Sequence, residues 1–200
     1  MIGIIDYNVG NLFSVKNALD YIGEKSCVTR DPDEIERADA LILPGVGAFP
    51  DAMRELRKTG LIDTLRAQAV KKPLLGICLG MQMLFTEGRE FEKCPGLGLL
   101  EGCVDTIPAG QLKIPHMGWN SLRYIHKSPL LEGVPEGSYV YFVHSYMAFA
   151  QEADTAAYAE YGTRVTALVQ HGCVFGTQFH PEKSGETGLV ILRNFGRLAV

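Results

Sequence analysis

Five consecutive residues constrain the fold more than any others in the chain: Gly76-Ile77-Cys78-Leu79-Gly80. They join the apolar run Leu74 to Ile77, which reads as a buried strand, to Leu79 through Glu87, which reads as the helix after it. Glycine two residues to either side of a potential nucleophile, between strand and helix, is the pattern of a sharp strand-to-helix turn. The glycines let strand and helix pack closely around the turn. The helix N-terminus points its partial positive charge at the thiol and favours thiolate, and the N–H of Leu79 is placed to stabilise an oxyanion. A lone cysteine is most often a buried structural residue; the flanking glycines shift the balance towards a reactive one.

The first half of the chain repeats the strand-then-helix rhythm. Ile2 to Ile5 is a buried-strand pattern; Leu12, Val15, Leu19 and Ile22 recur at helical spacing, with Gly23 as a stop. A short strand is expected around Ser26 to Thr29. Asp31, Pro32 and Glu34 fit the N-cap, N1 and N3 positions of a helix. Ala40 to Leu43 is apolar and ends on Pro44-Gly45-Val46-Gly47, and a helical stretch covers about Asp51 to Val70. This order implies βαβ units and a parallel sheet.

From about Leu97 the pattern changes. Leu99–Ile107, Trp119–Ile125, Tyr139–Phe149, Ala156–Tyr161, Arg164–Gln170 and Cys173–Phe179 are rich in Val, Tyr, Phe and Thr and are separated by Gly and Pro. They read as antiparallel strands or hairpins, and a last helix is expected from about Glu186 to Leu198. The fold class expected is α/β, with a central, mostly parallel sheet and additional antiparallel strands in the second half. Neither repeat nor linker interrupts the 200 residues, so one domain spanning 1–200 is expected.

Composition narrows the function classes. A formal net charge of -4 gives no electrostatic reason to bind nucleic acid or an anionic membrane. No apolar run is long enough to span a bilayer, and the first residues lack the features of a signal peptide, so a cytoplasmic protein is expected. The cysteines Cys27, Cys78, Cys94, Cys103 and Cys173 are odd in number and widely spaced. That argues against a disulfide framework and a zinc site; no metal and no organic cofactor are expected.

A base for the thiol stands late in the chain, in Phe179-His180-Pro181-Glu182. In extended backbone, His180 and Glu182 at i and i+2 share a face, and Pro181 helps hold that conformation. A carboxylate beside the imidazole fixes its tautomer and stabilises the cation formed when it takes the thiol proton. Taken alone, the pair reads equally well as a strand-end histidine beside a solvated glutamate.

Together these residues resemble the class I, triad-type glutamine amidotransferases, whose nucleophile lies in a Gly-x-Cys-x-Gly turn and whose His-x-Glu pair lies near the C-terminus. The resemblance implies a flavodoxin-like fold, a triad of Cys78, His180 and Glu182, and an oxyanion hole from the N–H groups of Val46 and Leu79. It extends over the whole chain. Asn8-Val9-Gly10-Asn11, His116-Met117-Gly118-Trp119-Asn120, Tyr141 to Tyr146 and His180 to Ser184 are similar to glutaminase subunits of imidazole glycerol phosphate synthases. Those subunits belong to histidine biosynthesis, and with their partner have hydrolase and lyase activities. By this resemblance the partner is a (β/α)8-barrel cyclase in a heterodimer, which receives ammonia released from glutamine. Gly45, Gly47, Gln82, Glu90, His144, Ser145 and Tyr146 would bind glutamine; Asn11, Trp119, Asn120, Tyr141 and Lys183 would face the cyclase. Gln82 lies one helical turn after Cys78, and Glu90 offers a carboxylate to the substrate α-ammonium. His116 is assigned no catalytic role. Glycine at 45 would let the Gly45–Val46 peptide present either its C=O or its N–H to the site, a switch the partner could operate.

Overall fold

The computed structural model describes residues 1–199. Its main sheet is built on β1 (Ile2–Ile5), β2 (Ser26–Thr29), β3 (Ala40–Gly45) and β4 (Leu74–Cys78), all parallel. β14 (Val174–Thr177) joins the free side of β4, also parallel. The sheet then turns antiparallel through β13 (Arg164–His171), β12 (Thr155–Glu160) and the short β9 (Arg123–Tyr124), giving the eight-stranded order β2-β1-β3-β4-β14-β13-β12-β9.

Alternation along each central strand divides the interior in two. Ile2, Ile4, Ile42, Leu75 and Ile77 pack with α1 (Leu12–Tyr21) and α6 (Gly185–Gly196) on one face. Ile5, Leu41, Leu43 and Leu74 pack on the other with α2 (Pro32–Arg37), α3 (Phe49–Thr59) and α4 (Ile62–Ala69). Strands buried on both faces must be apolar throughout, and β1, β3 and β4 are fully buried. Each large aliphatic side chain so removed from water contributes about 1.5–3 kcal/mol.

Local determinants act as the residue types dictate. Asn11 caps α1 by accepting from the Ser14 N–H, and Asp31 caps α2 by accepting from Asp33 N–H, with Pro32 in the first turn. The helix expected over Asp51 to Val70 is two helices, because Gly60 at φ 73° ends α3 in a left-handed cap. The helix expected over Leu79 to Glu87 is shorter still. α5 covers only Leu79–Met83, and Phe85–Gly88 leaves it as β5.

β5 pairs with β7 (Leu100–Thr106) and β6 (Cys94–Pro95), and β11 (Tyr146–Ala150) completes this second sheet. The segment Tyr139–Phe149, expected as strand or hairpin, is divided at Ser145 into β10 (Tyr139–His144) and β11. β10 pairs instead with β8 (His116–Ser121) as a two-stranded ribbon. The chain therefore leaves one small sheet and enters another at Ser145, directly beside the turn at Cys78.

Candidate active site

Cys78 is the N-cap of α5, with φ 55° and ψ −112°. A non-glycine residue held there stores strain of order 1–3 kcal/mol, which persists only when its surroundings over-determine it. They do. Gly45 opposes Cys78 in the β3–β4 register, and a Cβ on Gly45 would lie 2.5 Å from the Gly80 nitrogen. A Cβ on Gly80 would lie 1.8 Å from the Leu43 carbonyl oxygen. The two glycines thus let α5 sit directly against β3, as the turn requires.

β4 and β14 are parallel neighbours, with Ile77 opposite Thr177, so the residues after each strand emerge side by side. Beyond β4 stands Cys78; beyond β14 come Gln178 and His180. His180 Nδ1 lies 2.8 Å from Glu182 Oε1, both side chains almost wholly buried. Burial by itself pulls the His180 pKa down. Hydrogen bonding to Cys78 and to Glu182, and the charges of both, outweigh it and push the pKa up to about 10. The imidazole is therefore ready to hold a proton taken from the thiol.

Cys78, Leu79 and His180 open on a cavity of about 320 Å³, also lined by Val46, Gly47, Gln82, Glu90, Pro115, Val143, His144, Ser145 and Tyr146. A strained cysteine, an imidazole–carboxylate pair, a further carboxylate in the lining and a room of this size suit attack on the carbonyl of a small zwitterionic amide.

Residues 4–198 match the family model for glutamine amidotransferase class-I. The chain belongs to that family. It is 53% identical to the imidazole glycerol phosphate synthase subunit HisH of Caldanaerobacter subterraneus subsp. tengcongensis over 99% of this chain and 98% of the relative. It is 53% identical to that of Geobacillus kaustophilus over 100% and 97%, and 52% identical to one from Bacillus cereus over 98% and 93%. Among solved structures it resembles a glutamine amidotransferase at TM-score 0.77, with 23% identity over 99% of this chain and 98% of that one. A putative GMP synthase subunit from Thermoplasma acidophilum matches at TM-score 0.73, with 20% identity over 99% and 92%. Both structural matches share the fold. The family is one of enzymes, and this chain matches it along nearly its whole length.

In this amidotransferase Gln82 is buried and gives its Nε2 to the Tyr146 carbonyl and to Gln178 Oε1, each at 2.9 Å. Glu90 Oε2 accepts the Phe49 N–H at 2.7 Å, serving as a remote cap for α3, whose own N-cap Ala48 offers no side-chain acceptor. Burial pushes the Glu90 pKa up, against that hydrogen bond. Gly45 does not line the cavity; it is buried in β3 beneath the turn, on the side of Asn11 and Glu182. The reason is its packing against Gly80, and the left-handed backbone of this loop belongs to Gly47, at φ 86°.

The residues expected to face a partner divide. Trp119 is 55% exposed and meets Tyr141 edge-to-face at 6.1 Å, the two being paired across the β8–β10 ribbon. Lys183 is exposed. Asn120 is half-buried, with its Nδ2 3.2 Å from His116 Nε2 and 2.9 Å from the Glu160 carbonyl. Asn11 is half-buried and occupied in capping α1.

Sequence reasoning missed three contributors. Gln178, fully buried, places Nε2 3.8 Å from Cys78 Sγ. Ser184 accepts the Tyr141 N–H at 3.0 Å and donates to the His180 carbonyl at 2.6 Å, while the His180 N–H reaches the Tyr141 carbonyl, tying the ribbon to the histidine. His116 Nδ1 stands 3.0 Å from His144 Nε2, and its ring stacks on Phe142 and Tyr161. The only signal for Gln178 was its position two residues before His180 on an extended segment.

Proposed function

We propose that Cys78, His180 and Glu182 form the triad that releases ammonia from glutamine, and that the chain passes this ammonia to a (β/α)8-barrel cyclase as the glutaminase half of a heterodimer. The observation that carries the chemistry is the buried His180–Glu182 pair, whose histidine shares one cavity with a strained Cys78.

His180 takes the Cys78 proton, and the thiolate adds to the amide carbon of glutamine. The negative charge that develops on the amide oxygen is met by the N–H groups of Val46 and Leu79. The protonated His180 gives its proton to the leaving nitrogen, and the C–N bond breaks to leave ammonia and a γ-glutamyl thioester. Water, deprotonated by His180, attacks the thioester and expels the Cys78 thiolate with glutamate. Glu182 holds the His180 ring and stabilises its cation. Glu90, with Oε2 engaged by Phe49, has Oε1 for the substrate α-ammonium; Gln82, Gly47, His144, Ser145 and Tyr146 complete the pocket.

The partner reading is supported by the names of the relatives, which denote a synthase subunit, and by the exposed Trp119 and half-buried Tyr141 on the ribbon tied to His180. Trp119, Tyr141, Lys183 and the α1 end at Asn11 are its proposed contacts. In its complex with a purified cyclase, Cys78→Ala should abolish glutamine-dependent synthesis of imidazole glycerol phosphate and leave ammonia-dependent synthesis intact. Glutamine hydrolysis by the alanine variant at a comparable rate would refute the triad. Failure of the cyclase to bind would refute the partner.

A further inference from the structure

From this geometry we infer that Gln178 is a hydrogen-bond donor to the Cys78 sulfur, held in that orientation by Gln82, and that it stabilises the thiolate form of the nucleophile. The inference rests on Cys78 being the nucleophile.

The direction of every bond follows from one fixed point. The Tyr146 carbonyl is only an acceptor, so the group 2.9 Å from it on Gln82 must be the amide nitrogen. That same nitrogen lies 2.9 Å from Gln178, whose facing atom must then be its oxygen. With the oxygen occupied, the Gln178 nitrogen is left facing Sγ, at 3.8 Å. The amide orientations are thus decided by the network, independently of how oxygen and nitrogen are told apart. Gln178 is fully buried and its backbone N–H is bonded to the Ala167 carbonyl, which extends the β13–β14 pairing past Thr177 and fixes the donor's base.

Besides His180, the sulfur has two competing partners. The Val143 carbonyl, 4.0 Å away, can accept only from the protonated thiol. The Gln178 amide can donate to sulfur, and a donor to an ionised acceptor is a stronger bond than one to its neutral form. Gln178 therefore shifts the balance towards thiolate, in the same sense as His180 but without titrating. Gln82 has both its hydrogens committed, so its own carbonyl oxygen is the atom left for other partners.

The test is the rate of alkylation of Cys78 by iodoacetamide, a neutral reagent, followed peptide by peptide across pH on the full-length chain. Gln178→Leu, which keeps bulk and loses the donor, should move the midpoint of the profile up by about one pH unit and slow glutamine turnover with the cyclase roughly tenfold in kcat, as expected for one hydrogen bond to a charged group. Gln178→Glu, nearly isosteric, should move the midpoint further, because it sets a carboxyl against the sulfur. Packing alone would make the glutamate variant the milder of the two. A midpoint unchanged in a folded Gln178→Leu chain overturns the inference. Should neither variant fold, the unaltered chain still decides: the Gln178 side-chain amide protons must shift with the Cys78 titration in an NMR pH series and stop doing so in Cys78→Ala, and amide protons blind to that titration overturn the inference equally. A Cys78 no more reactive than Cys173 in the unaltered chain would instead sink the nucleophile reading itself.

Discussion

His180 carries two opposing influences, and its proton is the quantity that separates them. Burial disfavours the imidazolium, while Cys78 and Glu182 favour it strongly enough to bring the pKa to about 10. Removing a favourable partner should therefore lower it. In Cys78→Ala and in Glu182→Gln, the His180 ring titration followed by NMR should move down in pH; an unmoved titration would show that the pair is not electrically joined. The sign for stability follows from the same shift. Folding raises the pKa above the ordinary 6.5, so the contribution of His180 is fully present below about pH 6.5 and is lost as pH rises through about 10. Glu182 acts through the ring it holds. Glu182→Gln should lower kcat by roughly a hundredfold, a smaller loss than Cys78→Ala, since members of a catalytic unit contribute unequally. Full kcat in Glu182→Gln, measured by coupled glutamate release, would remove it from the triad.

Among elements, the β8–β10 ribbon is the most consequential, because it touches both the cavity wall and the histidine. Its interior is built on His116 and His144. The Tyr146 carbonyl, 2.8 Å from His144 Nδ1, requires a proton on that nitrogen. His144 Nε2 is then an acceptor for His116 Nδ1–H, and His116 Nε2 accepts from Asn120. Both rings are neutral in this chain of bonds. Burial lowers their pKa values to about 4 for His116 and about 3 for His144. A histidine whose folded pKa is lowered binds its proton more readily unfolded, so stability falls as pH drops below about 6.5. Urea midpoints should accordingly decline from pH 6.5 to pH 4, and His116→Asn should flatten that slope; equal slopes in the two chains would contradict the assignment. Ser184 is the second joint of the ribbon. Ser184→Ala removes the acceptor of the Tyr141 N–H and the donor to the His180 carbonyl. A loss of about 1–3 kcal/mol of stability is expected in chemical denaturation, from the buried groups left unsatisfied, together with a lower kcat.

For the whole molecule, the parallel half of the sheet delivers Cys78 and His180 from adjacent strands, and the smaller sheets wall the cavity and present the ribbon outward. An amidotransferase that hydrolysed glutamine unpartnered would waste it. The expected outcome is a chain nearly silent alone and faster by roughly 10²–10³-fold with the cyclase, the size of one oxyanion donor gained. Steady-state kinetics of the chain alone and with cyclase measures it; a flat kcat across the two excludes gating. The loop from Pro44 to Gly47 is the element to watch. The Val46 N–H belongs to the Gly45–Val46 peptide, so reorienting it turns ψ of Gly45 and φ of Val46, beside the close approach of Gly45 to Gly80.

What the sequence determined by itself was whatever is encoded within a few residues. The Gly76 to Gly80 turn, the His180–Glu182 spacing, the Asp31-Pro32 helix start and the strand–helix alternation of the first half are local, because steric limits and backbone hydrogen bonds act between near neighbours. Tertiary structure alone decided the rest. Whether Phe85–Gly88 continues a helix or joins a sheet depends on β7 and β6, which lie later in the chain. The break at Ser145 exists because β10 and β11 find different partners, β8 and β7. Asn120 bonds the Glu160 carbonyl, Glu90 caps α3 from a distance and Gln178 meets Cys78 across 100 residues. A polar side chain commits to whichever donor or acceptor the fold brings within 3 to 4 Å, and nothing in its near neighbours specifies that partner.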